Sequence, residues 1–213
     1  LDSETQPSSN VLVLACKPQQ LAALSPNATS SFNGALLISI LAGTPISKIR
    51  ERFPNARAIV RAMPNTPGSI GGGITGWASD QTLQPNDASA VATVLGSLGE
   101  VIPTKESELD AVTAISGSGP AYLFLFTEAL EKAAREFGFD EATALKLARQ
   151  TMIGAAKLMD ESALHPSELR RQVTSPGGTT QAAVQSFEQG GLHDLVRKAT
   201  QSAHTRSIEL SRL

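Results

Sequence analysis

Cysteine, histidine and aromatic side chains are all scarce in this chain of 213 residues. The single cysteine, Cys16, excludes an internal disulfide framework and favours a reducing compartment such as the cytoplasm. The three histidines, His165, His193 and His204, lack the spacing of metal ligands, so no metal site is expected. Alanine and glycine are plentiful instead, which favours helices that pack closely through small side chains.

Strong charge and long apolar runs are also missing. The net charge is −2 at pH 7, which does not indicate a nucleic-acid partner. No apolar run approaches the length of a membrane span, so no membrane partner is expected. Residues 1–9 are polar, begin with Leu1 and lack the basic and apolar regions of a signal peptide, so we interpret them as a linker or a cut end.

The first half of the chain alternates between apolar runs and helical patterns. Such alternation predicts a doubly wound parallel sheet with helices on its faces. Strands are predicted at 11–16, 34–40, 56–63, 74–78 and 101–102, and helices at 19–24, 45–53 and 87–98. In such sheets ligands bind beyond the carboxyl ends of the strands. Three strands end in groups suited to a binding edge, at residues 16–18, 41–43 and 63–67.

The second half, from about Glu106, shows only helical patterns. Helices are predicted at 106–115, 120–137, 141–159, 166–173, 181–188 and 192–210, with a glycine-rich turn at 116–120. Gly138 and Asp140 are predicted to end one helix and to cap the next. The wide apolar faces favour a helical homodimer. We therefore divide the chain into a domain at 1–104 and a helical domain at 105–213.

The most distinctive stretch is Val-Thr-Ser-Pro-Gly-Gly-Thr-Thr at 173–180, just before a predicted helix. Gly177 and Gly178 allow a tight turn and close approach to the main chain. Thr179 or Thr180 can cap the helix, and the unpaired N–H groups of its first turn suit a carboxylate or a phosphate. The alternative is an ordinary loop followed by a capped helix.

Several motifs, in order along residues 11–210, resemble those of pyrroline-5-carboxylate reductases. They are Ala-Cys-Lys-Pro at 15–18, where the family usually has Ala-Val-Lys-Pro, Arg-Ala-Met-Pro-Asn-Thr-Pro at 61–67, Ala-Val-Thr-Ala-Ile-Ser-Gly-Ser-Gly-Pro-Ala-Tyr at 111–122, Leu-Ala-Arg-Gln at 147–150 and the stretch at 173–180. The resemblance implies an α/β Rossmann-like domain and an all-α dimerisation domain. It also implies NADPH- or NADH-dependent reduction of a cyclic imine to proline by a homodimer or a larger oligomer.

The resemblance also implies roles for individual residues. Thr180 is the expected catalytic residue, with its hydroxyl beside the ring nitrogen of the substrate. Substrate-binding positions are Glu106, Ser175, Gly177, Gly178, Thr179 and Thr180. Cofactor-binding positions are Cys16, Lys17, Pro18, Ala42, Asn65, Thr66 and Gln172. For Glu106 an ordinary alternative is a first-turn acid that the helix dipole stabilises.

The family's first strand and its Gly-x-Gly-x-x-Gly turn are expected upstream of Val11. We therefore expect this sequence to lack that part of the Rossmann-like domain. The segment that would separate NADP from NAD preference falls in the same upstream region, so the preferred nicotinamide is not predicted.

Two other functions fit part of the pattern. A β-hydroxyacid dehydrogenase also joins a Rossmann domain to helices, but it needs a lysine four residues after a glycine, where this chain has Leu123 after Gly119. The alternative outside enzymes is a non-catalytic helical dimer module or an inactive relative. The glycine turn argues against it, because a scaffold has no need of an anion pocket.

Overall fold

The computed structural model describes residues 10–21, 23–24 and 29–212. Two compact units divide the chain: Leu1–Pro120 together with Thr200–Leu213, and Ala121–Ala199. The predicted division at residue 104 stays a prediction.

The first unit is built on a five-stranded sheet in the order β1-β2-β3-β4-β5. The strands are β1 (Val11–Leu14), β2 (Leu36–Ser39), β3 (Ala58–Met63), β4 (Gly73–Ser79) and β5 (Gly99–Pro103). Neighbouring strands are parallel except β3 and β4, which are antiparallel. The prediction of an all-parallel sheet is therefore wrong at this pair. Only residues 64–72 join β3 to β4, and a parallel crossover needs about a dozen residues or more.

Helices and short helical turns flank the sheet. The α-helices of this part are α1 (Pro18–Leu21), α2 (Ile46–Arg52), α3 (Pro85–Gly96) and α4 (Leu109–Val112), and 3₁₀ turns lie at Thr66–Ile70 and Glu106–Glu108. The predicted apolar face of α2 is confirmed, since Ile46, Ile49 and Phe53 are all buried. β2 is buried on both faces, because Leu37 packs toward Ile49 while Leu36 joins the cluster that includes Leu95 of α3.

Where a glycine turn was predicted at 116–120, the chain is helical on both sides of a single bend at Ser118. Residues Thr113–Gly117 form a π-helical turn, in which the Ser118 N–H donates to the Thr113 carbonyl at 2.8 Å. The next helix, α5, begins at Gly119 and ends at Glu136. Pro120 lies in the first turn of α5 as predicted, and its missing N–H is tolerated there.

The second unit is all helical. Its helices are most of α5, α6 (Glu141–Glu161), α7 (Pro166–Gln172), α8 (Thr179–Gln189) and the start of α9 (Leu192–Arg212). The predicted end of α5 and cap of α6 are confirmed: Gly138 has φ of +93°, and the Asp140 carboxylate accepts from the Thr143 N–H at 3.0 Å. The Phe126 and Phe187 rings, 6.0 Å apart, join α5 to α8.

Large apolar side chains of this unit are exposed in the single chain. Phe124 and Leu125 are 63% and 66% exposed. The continuous helical stretch Glu106–Glu136 is, by length and composition alone, apolar enough to cross a membrane.

A buried guanidinium organises the first unit beyond its sheet. Arg61 of β3 has a side chain only 7% exposed, and it lies 3.5 Å from the Glu106 carboxylate and 3.7 Å from the Asp110 carboxylate. Asp110 also accepts a hydrogen bond from Ser207 of α9 at 2.7 Å. A buried charge is costly unless it is paired, so this network fixes where α4 and the end of α9 lie on the sheet.

A second ion pair joins the start of β3 to α3. Arg57 donates two hydrogen bonds to the Asp87 carboxylate, from Nε at 2.9 Å and from Nη2 at 2.6 Å. The hydrogen bond from Arg57 holds the pKa of Asp87 below its usual value. Asp87 also lies in the first turn of α3, where a negative charge is favoured.

We expect Asp87→Asn to lower the free energy of unfolding by about 1–2 kcal/mol at pH 7, because it removes the charge from this bidentate pair. Since the pKa of folded Asp87 is lowered, its contribution is present above about pH 4 and is lost as pH falls through the lowered pKa. Urea unfolding of both proteins at pH 7 and in acid measures the difference. Asp194→Asn, in an exposed pair, is the control, and an equal Asp87→Asn effect at both pH values would contradict the prediction.

Candidate functional site

Two of the predicted strand-end positions line one cleft in the first unit. β1, β2 and β3 are parallel, so their carboxyl ends meet at one edge of the sheet. Pro18, after β1, and Ala42, after β2, both line a cleft of about 640 Å³, together with Lys48 and Arg52 of α2 and Leu210 of α9. This edge can therefore receive a ligand of the size of part of a dinucleotide.

The other residues of the first strand end are placed differently. Cys16 is half-buried against the core cluster beneath the sheet. Lys17 is exposed, and its main-chain N–H donates to the Gln20 side chain at 2.9 Å. The Lys17 side chain is thus exposed to solvent at this edge of the sheet, while its main chain is held by the hydrogen bond to Gln20.

The loop after β3 is held by the side chain of Asn65. Its Oδ1 accepts from the Ile74 N–H at 3.0 Å, and its Nδ2 donates to the Ser116 carbonyl at 3.2 Å. Thr66 follows as an exposed residue at the start of a 3₁₀ turn. Both polar atoms of the Asn65 amide are therefore engaged within the protein.

Glu106 has structural partners in the first unit. Its Oε1 accepts from the Ile46 N–H, in the first turn of α2, at 2.7 Å, and it pairs with Arg61. The Glu106 carboxylate thus satisfies an unpaired main-chain N–H at the N-terminus of α2. This is a different helix from the one that follows Glu106 in sequence. The role of Glu106 in substrate binding stays a prediction.

The glycine stretch of the second unit forms a tight turn that leads directly into α8. The Gly178 N–H donates to the Ser175 carbonyl at 3.0 Å. Gly177, after Pro176, has φ of +72°, as the third residue of a type II turn requires. A tight turn at this stretch was predicted, and the structure confirms it.

The predicted cap of α8 is wrong. The N-cap is Gly178, and Thr179 and Thr180 are the first helical residues. Among the described residues, no side chain caps the first-turn N–H groups of α8. The Gln181 side chain instead reaches back and accepts from the N–H of Gly177, the residue before the N-cap, at 2.5 Å. Gln181 was not among the predicted site residues, although its place three residues after the N-cap is the sequence signal of such a contact.

These bonds decide which main-chain donors of the turn can face a ligand. The N–H groups of Gly177 and Gly178 are engaged within the turn. Those of Thr179, Thr180 and Gln181 stand in the first turn of α8, where no intrahelical acceptor exists. The donors without an intrahelical acceptor therefore begin at Thr179, and the Thr180 side chain in the same turn is half-buried.

Ser175 and Gln172 lie near this turn in sequence. Ser175 is exposed, and its carbonyl closes the turn. Gln172 is the last residue of α7. The Glu168 carboxylate takes hydrogen bonds from Arg171 and from Gln172, which hold the pKa of Glu168 below its usual value.

The first unit has a sheet of Rossmann-like α/β type with a ligand-accepting edge, and the second unit is helical with large exposed apolar side chains. Residues 106–210 match the family described as pyrroline-5-carboxylate reductase dimerisation. A pyrroline-5-carboxylate reductase of Synechocystis is 41% identical over 96% of this chain and 76% of its own length. That of Pasteurella multocida is 40% identical over 97% of this chain and 76% of its own length.

Solved structures agree. A pyrroline-5-carboxylate reductase from Coxiella burnetii superposes with a TM-score of 0.89 at 37% identity, over 97% of this chain and 80% of its own. A Plasmodium falciparum pyrroline carboxylate reductase with NADP bound superposes with a TM-score of 0.82 at 31% identity. That match covers 95% of this chain and 77% of the other. The chain therefore belongs to the pyrroline-5-carboxylate reductase family, and the expected fold class is confirmed.

We expect Gly178→Ala to destabilise the turn through a steric clash. A Cβ at this position would lie 2.5 Å from Ser175 Oγ and 3.1 Å from the Ser175 carbonyl oxygen. Because the exposed Ser175 hydroxyl can rotate away, the free energy of unfolding should fall by no more than about 1 kcal/mol. The double change Gly178→Ala with Ser175→Ala should recover the part of the loss that the hydroxyl causes. Urea unfolding of the single and double variants measures this.

Gly177→Ala is the matched control. Its Cβ would meet nothing within 4 Å, but φ is +72°, so its cost comes from backbone conformation and Ser175→Ala should not relieve it. Equal relief of both glycine variants by Ser175→Ala would show that the clash is not the cause.

Proposed function

We propose that this protein reduces 1-pyrroline-5-carboxylate to L-proline with NADPH or NADH, the final step of proline biosynthesis. The observation that carries the proposal is the turn at 175–180, whose first α8 donors suit a carboxylate, in a chain 41% identical to a pyrroline-5-carboxylate reductase. We also propose that it works in the cytoplasm, which its single cysteine favours.

The helix start would bind and orient the substrate. The N–H groups of Thr179 and Thr180 would hold the substrate carboxylate, because they have no intrahelical acceptor and lie at the positive end of the helix dipole. Gly177 and Gly178 would shape the turn without donating to the ligand, since their N–H groups are engaged. Ser175 would contribute the carbonyl that closes it.

The Thr180 hydroxyl would act at the ring nitrogen. The protonated imine is a better electrophile than the neutral imine. A hydroxyl can accept a hydrogen bond from its N–H, and can also relay a proton to the ring nitrogen. When bound, the nicotinamide supplies the hydride that the C=N carbon accepts. Thr180 is half-buried in the first turn of α8, and its branched Cβ restricts its χ1 rotamers.

The edge of the sheet would hold the cofactor. Pro18 and Ala42 line the cleft there, and the loop carrying Asn65 and Thr66 follows the next parallel strand. Backbone groups at the carboxyl ends of parallel strands are the usual contacts of a dinucleotide. Cys16, Lys17 and Gln172 remain proposed cofactor positions on the resemblance alone.

The helical unit makes the protein a homodimer. The match to a dimerisation domain spans residues 106–210, and the exposed Phe124 and Leu125 supply the apolar surface that a second copy would cover.

The direct test is oxidation of NADPH and NADH in the presence of 1-pyrroline-5-carboxylate, followed by identification of L-proline as the product. We expect turnover with at least one of the two nicotinamides. The parallel assay offers a 3-hydroxy acid with the oxidised nicotinamide, and turnover there in place of imine reduction would support a β-hydroxyacid dehydrogenase instead.

We expect Thr180→Val to lower kcat by about 100-fold, the scale of a lost proton-transfer or polar contact at a reacting atom. The KM for pyrroline-5-carboxylate should change little, because the main-chain donors remain. Thr180→Ser keeps the hydroxyl and is the control, which should retain most of the activity. Equal kcat in the wild type and Thr180→Val would remove Thr180 from the mechanism.

We expect Leu125→Glu to weaken the homodimer by at least about 100-fold, because it buries an unpaired charge in the interface. Analytical ultracentrifugation over a concentration series measures the dissociation constant. Ile102→Glu places the same charge at an exposed apolar position of β5 and should leave the dimer intact. A Leu125→Glu dimer as tight as the wild type would place the interface elsewhere.

A further inference from the structure

We propose that Leu210 of α9 is a further contact of the nicotinamide cofactor, and that Ser207 is the positioning residue that holds it at the edge of the sheet. This inference rests on the function proposed above. Neither residue is among the cofactor positions that the family resemblance implies, and both lie far in sequence from the motifs at the strand ends.

The first observation is a close contact between α9 and the loop that follows β2. Gly43 in this loop has φ of +65°, and a Cβ built on it would lie 3.1 Å from Leu210 Cβ and 3.2 Å from the Leu210 carbonyl carbon. A side chain at residue 43 would therefore press on the main chain of the helix as well as on a side chain. Glycine at this position lets α9 lie directly on the loop that carries Ala42.

The second observation is the position of Leu210 in the cleft at the sheet edge. Leu210 lines this cleft of about 640 Å³ together with Pro18 and Ala42, two of the proposed cofactor positions. It is 42% exposed, although its Cβ and main chain pack on Gly43. Leu210 thus combines a fixed base with an exposed apolar part that a ligand in the cleft can cover.

The third observation is a buried anchor one turn earlier in α9. Ser207 is 5% exposed, and its Oγ donates to the Asp110 carboxylate at 2.7 Å. Asp110 in turn lies 3.7 Å from the buried Arg61 guanidinium. Because residues three apart lie on the same face of a helix, Ser207 and Leu210 are directed to the same side of α9. The hydrogen bond therefore holds the end of α9 where Leu210 meets Gly43.

The composition of the cleft indicates the kind of ligand that Leu210 would meet. α2 contributes two cations and one carboxylate, Lys48, Arg52 and Glu51, whereas Pro18 and Leu210 are apolar. A dinucleotide offers phosphates to cations, and it offers flat ring faces and ribose carbons to apolar side chains. Leu210 would therefore cover an apolar face of the cofactor without forming a hydrogen bond.

The test measures binding of NADP⁺ and NAD⁺ to the full chain by isothermal titration calorimetry. We expect Leu210→Ala to weaken the binding of whichever nicotinamide the wild type binds by about fivefold, the scale of a partial loss of apolar contact. The kcat and the KM for pyrroline-5-carboxylate should hardly change. Glu209→Ala is the control, because Glu209 is an exposed neighbour in the same turn and pairs with Arg206. Unchanged cofactor affinity in Leu210→Ala would overturn the inference.

A double-mutant cycle tests whether Ser207 acts through Leu210. We expect Ser207→Ala to weaken cofactor binding by about threefold, because the end of α9 is then correctly placed for only part of the time. The double variant Ser207→Ala with Leu210→Ala should bind little more weakly than Leu210→Ala alone, since the contact is already lost. A loss in the double variant equal to the product of the two single losses would contradict the positioning role.

A nuclear Overhauser effect between the Gly43 Hα and the Leu210 side-chain protons reports on the packing without any cofactor. We expect this effect in the wild type and a weaker one in Ser207→Ala. Its absence from the wild type would overturn the inference, and an equal effect in Ser207→Ala would contradict the anchor. A wild type that shows the effect but binds neither nicotinamide would instead refute the proposed function and leave the packing of α9 on the loop supported.

Discussion

The arrangement of the first unit depends on a charged side chain buried in its sheet. Arg61 of β3 is 7% exposed at its side chain and needs negative partners within reach. Glu106 and Asp110 supply them, and each carboxylate takes a further donor, the Ile46 N–H and the Ser207 hydroxyl. One buried guanidinium thereby brings α2, α4 and the end of α9 to the same side of β3, next to the loops of the candidate cofactor edge.

Features with local causes could be predicted from the sequence. The apolar spacing of Ile46, Ile49 and Phe53 identified the buried face of α2, and Gly138 and Asp140 marked a helix end and a cap. Features that depend on distant partners could not. The π-helical turn that ends at Gly117 contradicts the local glycine pattern. It is supported by the packing of Gly117 on Met63 and of Val112 on Gly76, and by the hydrogen bond from Asn65 to the Ser116 carbonyl.

The candidate site also combines features that the sequence predicted with features that it did not. The motif at 173–180 predicted a tight turn, a helix start and an anion pocket, but it did not identify the donors. Gln181 takes the Gly177 N–H and the Ser175 carbonyl takes that of Gly178, which moves the proposed cradle one step along the chain to Thr179 and Thr180. The glycines then serve for shape: Gly177 has a φ of +72°, and a Cβ at 178 would displace the Ser175 hydroxyl.

The most direct test of this site is the amide spectrum of the ¹⁵N-labelled protein during titration with L-proline in the presence of oxidised nicotinamide. If the start of α8 holds the product carboxylate, the Thr179 and Thr180 amides shift together in a saturable way, while Gly177 and Gly178, already bonded within the turn, shift much less. Saturable binding of proline with unshifted Thr179 and Thr180 amides would contradict the assignment and move the carboxylate site to another part of the protein.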